Sequence, residues 1–178
     1  DALLTDAFTI MAAAIIPPAR LIRLIRELAY ASGPEGMVGG QAADIMLEGK
    51  KADKKDVYYI HTHKTGALIR ASVRIGAIAG DASPAKLKAL TVYGEKTGLA
   101  FQVTDDILNV TGTKEELGKS AGSDMEKGKI TYPSTFGLKR SGEIAEQLVN
   151  ESLEELKGFD KKADPLREIA KYISKRKN

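Results

Sequence analysis

Four polar residues, Gln102, Asp105, Asp106 and Asn109, stand at i, i+3, i+4 and i+7 in a stretch that is otherwise apolar. Leu99, Phe101, Val103, Ile107, Leu108 and Val110 fill the rest of it. On a helix that spacing puts all four polar residues on one face. The apolar residues cover most of the remaining circumference, so the segment reads as buried. A stripe with two adjacent carboxylates on a buried helix is costly unless something satisfies it. Two like charges side by side attract a divalent cation, and hard carboxylate oxygens suit Mg²⁺. Taken alone, the pair is equally compatible with a solvated or helix-capping position.

Two further stripes have the same form. Gln41 and Asp44 are three apart among small and apolar residues, and His61, Lys64 and Thr65 are spaced i, i+3, i+4 beside Ile60, Ala67 and Leu68. Each has a plain reading by itself, a solvated helix edge for the first and a snorkelling lysine for the second. Three helices with matched polar faces suggest instead that they enclose one polar cavity. His61 and His63 point about 200° apart on a helix, so they cannot share a metal. The segment Gly118-Lys119 to Lys129 intersperses glycines with lysines. Glycine lets backbone approach a ligand and lysine supplies point charges for phosphate. The Walker spacing is absent, so it is not a P-loop. A carboxylate pair, a buried lysine and a basic glycine-rich loop together describe a Mg²⁺–diphosphate site.

These groups need helices to position them. Strand alternation is nearly absent and helical periodicity is widespread. The pattern predicts helices over 2–15, 18–31, a third ending near Leu47, and a long one from Asp53 or Lys54 to Ala79, kinked near Lys64. Ser83-Pro84 is a start signal for a helix reaching Val110. A loop over 111–130 follows, and amphipathic helices over 142–156 and 165–175 close the chain. The fold class is all-α, a bundle of packed helices. The chain has 178 residues and a formal net charge of +3, too small to imply nucleic-acid binding. It has no cysteine, which excludes disulfides, thiolate metal sites and a cysteine nucleophile. A reducing compartment fits, and the apolar run over 7–16 is too short to span a bilayer.

Five segments in order, Asp1-Ala-Leu-Leu-Thr-Asp-Ala-Phe8, Gly36 through Gln41 to Asp44, His61-Thr-His-Lys64-Thr65-Gly-Ala-Leu68, Phe101-Gln102-Val-Thr-Asp105-Asp106-Ile-Leu-Asn109, and Gly118-Lys119 through Thr131-Tyr132-Pro133, resemble the trans-isoprenyl diphosphate synthases. The farnesyl and geranylgeranyl diphosphate synthases are the nearest type, and the likeness covers essentially the whole chain. The resemblance implies a helical bundle of the isoprenoid synthase type and a prenyltransferase. Such an enzyme condenses isopentenyl diphosphate with an allylic diphosphate, head to tail, with Mg²⁺ as cofactor. By the family pattern Asp105 and Asp106 hold the metal, while Lys64, Lys119 and Lys129 contact the allylic diphosphate. Phe101 and Gln102 lie near isopentenyl diphosphate, and Thr65 sits by the reacting carbons. Lys64, Thr65 and Gln102 are the catalytic group. Gln41 and Asp44 line and brace the cavity, and Arg176 belongs to a basic tail closing over isopentenyl diphosphate. The family is usually homodimeric, which the apolar first helix could serve, and the expected location is cytoplasmic, with no transmembrane segment and no nucleic-acid partner.

Two departures qualify the likeness. The family's aspartate-rich motif ends in Asp where this chain has Asn109, a neutral and poorer ligand. A first aspartate-rich motif should lie upstream of Asp1. The expectation is therefore a single partial domain over 1–178, the C-terminal part of a synthase lacking its N-terminal helices and inactive alone. The competing reading is a non-catalytic partner subunit of such a synthase, against which the retained lysines and aspartate pair argue.

Overall fold

The computed structural model describes residues 2–50, 53–112 and 129–176. Among these residues the fold is all-α. The helices are α1 (Ala2–Ala12), α2 (Pro18–Ser32), α3 (Met37–Leu47), α4 (Lys54–Lys64), α5 (Gly66–Ala79), α6 (Pro84–Thr111), α7 (Tyr132–Phe136), α8 (Leu138–Glu155) and α9 (Asp164–Lys175), with a short 3₁₀ turn at Lys161–Ala163.

Local chemistry sets most of the boundaries. Asp53 and Asp56 form a reciprocal capping box at the start of α4, and the Ser83 hydroxyl accepts from the Lys86 N–H ahead of Pro84 in α6. The first helix stops at Ala12, short of the expected 15, ahead of Pro17-Pro18. The long helix expected over 54–79 is divided at Thr65, where φ is −124° and ψ −44°. That places the break one residue beyond the expected kink. The loop-to-helix boundary after 130 differs more. Thr131 and Ser134 cap each other and start α7, and α8 then begins at Leu138 instead of Gly142. Gly137, at φ +82°, makes the turn between them in a conformation that favours glycine.

The 28-residue α6 is the axis of the bundle. Tyr93, Ala100 and Val103 on it are fully buried against α5, α8 and α9, with Val57 of α4 and Leu156 beyond α8 in the same core. A smaller core of Met11, Leu24, Leu28 and Ile78 joins α1 and α2 to α5. Arg74 of α5 locks α2 with a two-pronged bond to Glu27, at 2.7 and 2.6 Å, and this hydrogen bond holds the Glu27 carboxyl below the usual carboxylate range.

One close approach bears on the cavity. Gly40 of α3 lies against the end of α4, so near that a Cβ there would stand 2.2 Å from the Lys64 nitrogen and 2.7 Å from its Cα. The missing side chain lets α3 press onto α4, one turn ahead of Asp44. Gly40→Ala should therefore force the two helices apart and cost ~2 kcal/mol of stability, in the range of overpacked cores. Urea denaturation followed by circular dichroism measures it. An unchanged midpoint would mean that the two backbones do not meet at Gly40.

Candidate active site

The three polar stripes meet. Asp44 from α3, His61 and Lys64 from α4, Thr65 at the α4–α5 junction, and Gln102, Asp105 and Asp106 from α6 line one cavity of about 220 Å³. Ile60 adds an apolar patch, and Lys129, Ile130 and Thr131 close the side nearest α7. Larger cavities lie elsewhere, about 640 Å³ beside Arg23, Arg26 and Arg70, about 470 Å³ beside Tyr58, His63 and Lys96, and about 410 Å³ beside Glu143, Glu146 and Glu151, and none of these is lined by an aspartate.

Each carboxylate of the cavity has its own partner. Asp44 Oδ2 accepts from Lys64 Nζ at 2.6 Å, with the Asp44 side chain 10% exposed and Lys64 30%. The lysine expected to seek an anion has an internal one, which holds its ammonium at the cavity wall. Asp105 is the outward member of the pair, its side chain 54% exposed. Its Oδ1 accepts from an Arg176 Nη at 3.0 Å. The Arg176 guanidinium lies over the Phe101 ring, 4.1 Å from its centroid, and also donates to the Phe101 carbonyl. Asp106 is the inward member, 8% exposed. Its Oδ2 accepts twice, from His61 Nε2 at 2.7 Å and from the Tyr132 N–H at 2.8 Å.

The remaining expected residues divide. Gln41 is exposed and does not line the cavity, although the stripe pattern paired it with Asp44. On the short α3 only the Asp44 side reaches the wall. Phe101 forms the platform under Arg176 and is not part of the lining. Asn109 is buried at 4% exposure and also does not line it. Lys119 lies outside the described residues. His63 stacks on Tyr59 and lines a different cavity from His61.

His61 is buried at the cavity wall and hydrogen-bonded to Asp106, in keeping with its place on the same stripe as Lys64.

Among the described residues no three histidines or acidic side chains converge to hold a metal by themselves. The donor set still fits Mg²⁺, which keeps several waters and takes one or two carboxylates together with substrate phosphates. Asp105 offers accessible oxygens where a guanidinium now stands in for a cation, and Asp106 keeps Oδ1.

The all-α bundle presents Lys64, Lys129 and the adjacent Asp105 and Asp106 to one cavity. A protein-family model described as polyprenyl synthetase matches residues 1–173, and the chain belongs to that family. It is 45% identical over 185 residues to geranylgeranyl pyrophosphate synthase 11, chloroplastic, of Arabidopsis thaliana, covering 100% of this chain and 52% of the relative. The chain thus spans about half the length of the curated relatives it matches. The solved geranylgeranyl pyrophosphate synthetase of Pyrococcus horikoshii superposes with a TM-score of 0.86 at 27% identity, over 97% of this chain and 64% of that one. The geranyltransferase of Helicobacter pylori, solved with magnesium and isoprenyl diphosphate, gives 0.80 at 33% identity, over 97% and 57%. No described helix is long and apolar enough to cross a membrane.

The Tyr132 ring packs between His61 and Phe136 beside this cavity. Burial pushes its phenol up to about 12 from the ordinary 10, with the nearby Tyr58 and Asp106 adding to the effect. The unfolded phenol ionises first, so this contribution to stability is full below pH ~10 and is lost as pH rises towards 12. Between those values the urea midpoint of the wild type should fall further than that of Tyr132→Phe. Parallel curves would mean that Tyr132 is not buried as described.

Proposed function

We propose that the protein carrying this chain condenses isopentenyl diphosphate with an allylic diphosphate, head to tail, giving a short-chain isoprenoid diphosphate such as farnesyl or geranylgeranyl diphosphate. The observation that carries this is the single cavity holding Lys64, Gln102, Asp105, Asp106 and Lys129. Membership of the polyprenyl synthetase family and relatives named as geranylgeranyl pyrophosphate synthases support it. Mg²⁺, where bound, supplies positive charge to the allylic diphosphate as its carbon–oxygen bond breaks.

The chain's own residues act around that step. Asp105, together with the remaining oxygen of Asp106, would hold the metal. Lys64, aimed by Asp44, and Lys129 face the departing diphosphate from two sides; the family resemblance alone assigns Lys119 the same contact. Charge develops there only as the bond breaks, so these cations favour the transition state over the bound substrate. Thr65 and Gln102 line the space where the allylic carbon meets the isopentenyl double bond. A carbon–carbon bond forms, diphosphate leaves, and a proton is lost from the isopentenyl unit. Arg176 on its Phe101 platform shields the isopentenyl side. Gln41, exposed here, has its place in this reading only as an outer brace beside Asp44. The reading includes a homodimer, supported by the exposed apolar side chains Leu3 and Ile10 of α1. A cytoplasmic location rests on the family resemblance alone.

The test is product analysis of the intact protein with isopentenyl diphosphate and dimethylallyl, geranyl or farnesyl diphosphate. Activity only after mixing with an active synthase would favour a partner subunit instead. Within the active protein, Asp105→Ala should lower kcat by about 10²–10³, the usual loss for a group that meets charge developing in the transition state. Asn109→Ala, buried behind the same face, should cost roughly tenfold at most. Both are measured at saturating Mg²⁺ with folding checked by circular dichroism. Equal losses would make Asn109 a ligand, and a silent Asp105→Ala would move the metal site elsewhere.

A further inference from the structure

His61 is one of the few ionisable side chains buried among the described residues, and it lines the cavity. Its two ring nitrogens are in opposite situations. Nε2 is 2.7 Å from Asp106 Oδ2, whereas Nδ1 is buried with no hydrogen-bond partner among the described residues. A buried N–H without an acceptor is costly, so the proton belongs on Nε2 and is donated to the carboxylate. The same Oδ2 takes the N–H of Tyr132, the first residue of α7. Lys129, Ile130 and Thr131, which form one wall of the cavity, run directly into that residue. One carboxylate oxygen therefore ties α4, α6 and the start of α7 together. A carboxylate with Oδ2 engaged in this way has only Oδ1 left for a cation.

We propose that His61 is a positioning residue of this site. As the Nε2–H tautomer it fixes the Asp106 carboxylate, and through it the wall that carries Lys129. This rests on the reaction proposed above for its kinetic consequences, but not for the hydrogen bond itself. Without the imidazole donor the carboxylate can turn, and the tie to Tyr132 loosens. The effect falls on the diphosphate side of the cavity, away from the Phe101 platform.

Two variants separate positioning from packing. In His61→Gln a side-chain amide N–H can occupy the place of Nε2–H, whereas His61→Leu fills the space without a donor. In the intact protein His61→Leu should lower kcat roughly 10- to 100-fold, as loss of an outer partner does, and raise KM for the allylic diphosphate. KM for isopentenyl diphosphate should stay unchanged, and His61→Gln should recover most of the loss. Nitrogen-15 NMR of histidine-labelled wild type, with the His61→Gln spectrum for assignment, should show Nε2 protonated and Nδ1 bare. Equal impairment of the two variants, or an equal rise in both KM values, would overturn the proposal. So would a proton on Nδ1. If the wild type makes no prenyl product, the proposed reaction fails. The nitrogen spectrum and the urea midpoints, with Gln near wild type and Leu below it, still decide whether His61 holds Asp106.

Discussion

A carboxylate buried inside a helical bundle has to be given donors, and Asp106 takes them from two elements that would otherwise have no reason to converge. Consecutive residues on a helix point about 100° apart. Asp105 and Asp106 are therefore a pair in sequence but not in environment. One looks out of the cavity mouth and meets Arg176. The other looks inward and collects the His61 ring and the Tyr132 N–H on a single oxygen. Removing one partner of such a buried charged group typically costs several kcal/mol, because the charge remains while its satisfaction goes. The meeting of α4, α6 and α7 is thus enforced by electrostatics as well as by packing.

Packing then sets how finely the rest is placed. Gly40 allows α3 to lie against the last residues of α4, and Asp44 sits one turn further on, within 2.6 Å of the Lys64 ammonium. Gly98 plays a similar part in the middle of α6, where a Cβ would stand 3.0 Å from Gly66 Cα at the start of α5. The polar groups of the cavity ride mainly on helices whose other faces are locked in the core, which is a more exact support than loops provide. The break at Thr65 belongs to the same design. It lets α4 present His61 and Lys64 to the cavity while α5 continues in its own direction along α6.

Much of this was legible in the sequence because helical periodicity is a local property. Spacing alone placed Gln102, Asp105 and Asp106 on one face, and the Lys64 stripe on another, and those faces do meet. What periodicity could not express is which residue of a stripe wins the inner position. Gln41 and Asp44 share a stripe, but of the two only Asp44 lines the cavity, since that depends on Lys64 twenty positions away. The unlike roles of Asp105 and Asp106 depend on partners 71, 45 and 26 positions distant. Helix α7 was missed for a different reason. Its five residues are too few to show a period, and its signal is the cap formed by Thr131 and Ser134. The Arg176 contacts with Phe101 and Asp105 had no signal in the sequence, where family resemblance placed Arg176 only in a basic tail over isopentenyl diphosphate, because nothing local gives a basic residue a reason to bury its guanidinium on a phenylalanine.

Each carboxylate of the cavity comes with its own donors, and that bears on how the proposed reaction could begin. Asp44 has Lys64, Asp105 has Arg176, and Asp106 has the His61 ring and the Tyr132 N–H. No carboxylate of the lining is left without a donor. A diphosphate arriving with its metal carries both signs. In the proposed reaction Asp105 would exchange Arg176 for the metal, and Lys64, steadied by Asp44, would meet the phosphate oxygens. Each exchange swaps one ion pair for another without an intermediate in which a charge stands bare in a low-dielectric space. Asp106 differs, because its Oδ2 is already held by the His61 ring and the Tyr132 N–H, so it would offer a metal only Oδ1. In the proposed reaction the outward aspartate would change partners while the Oδ2 bonds of the inward one kept the cavity wall in place.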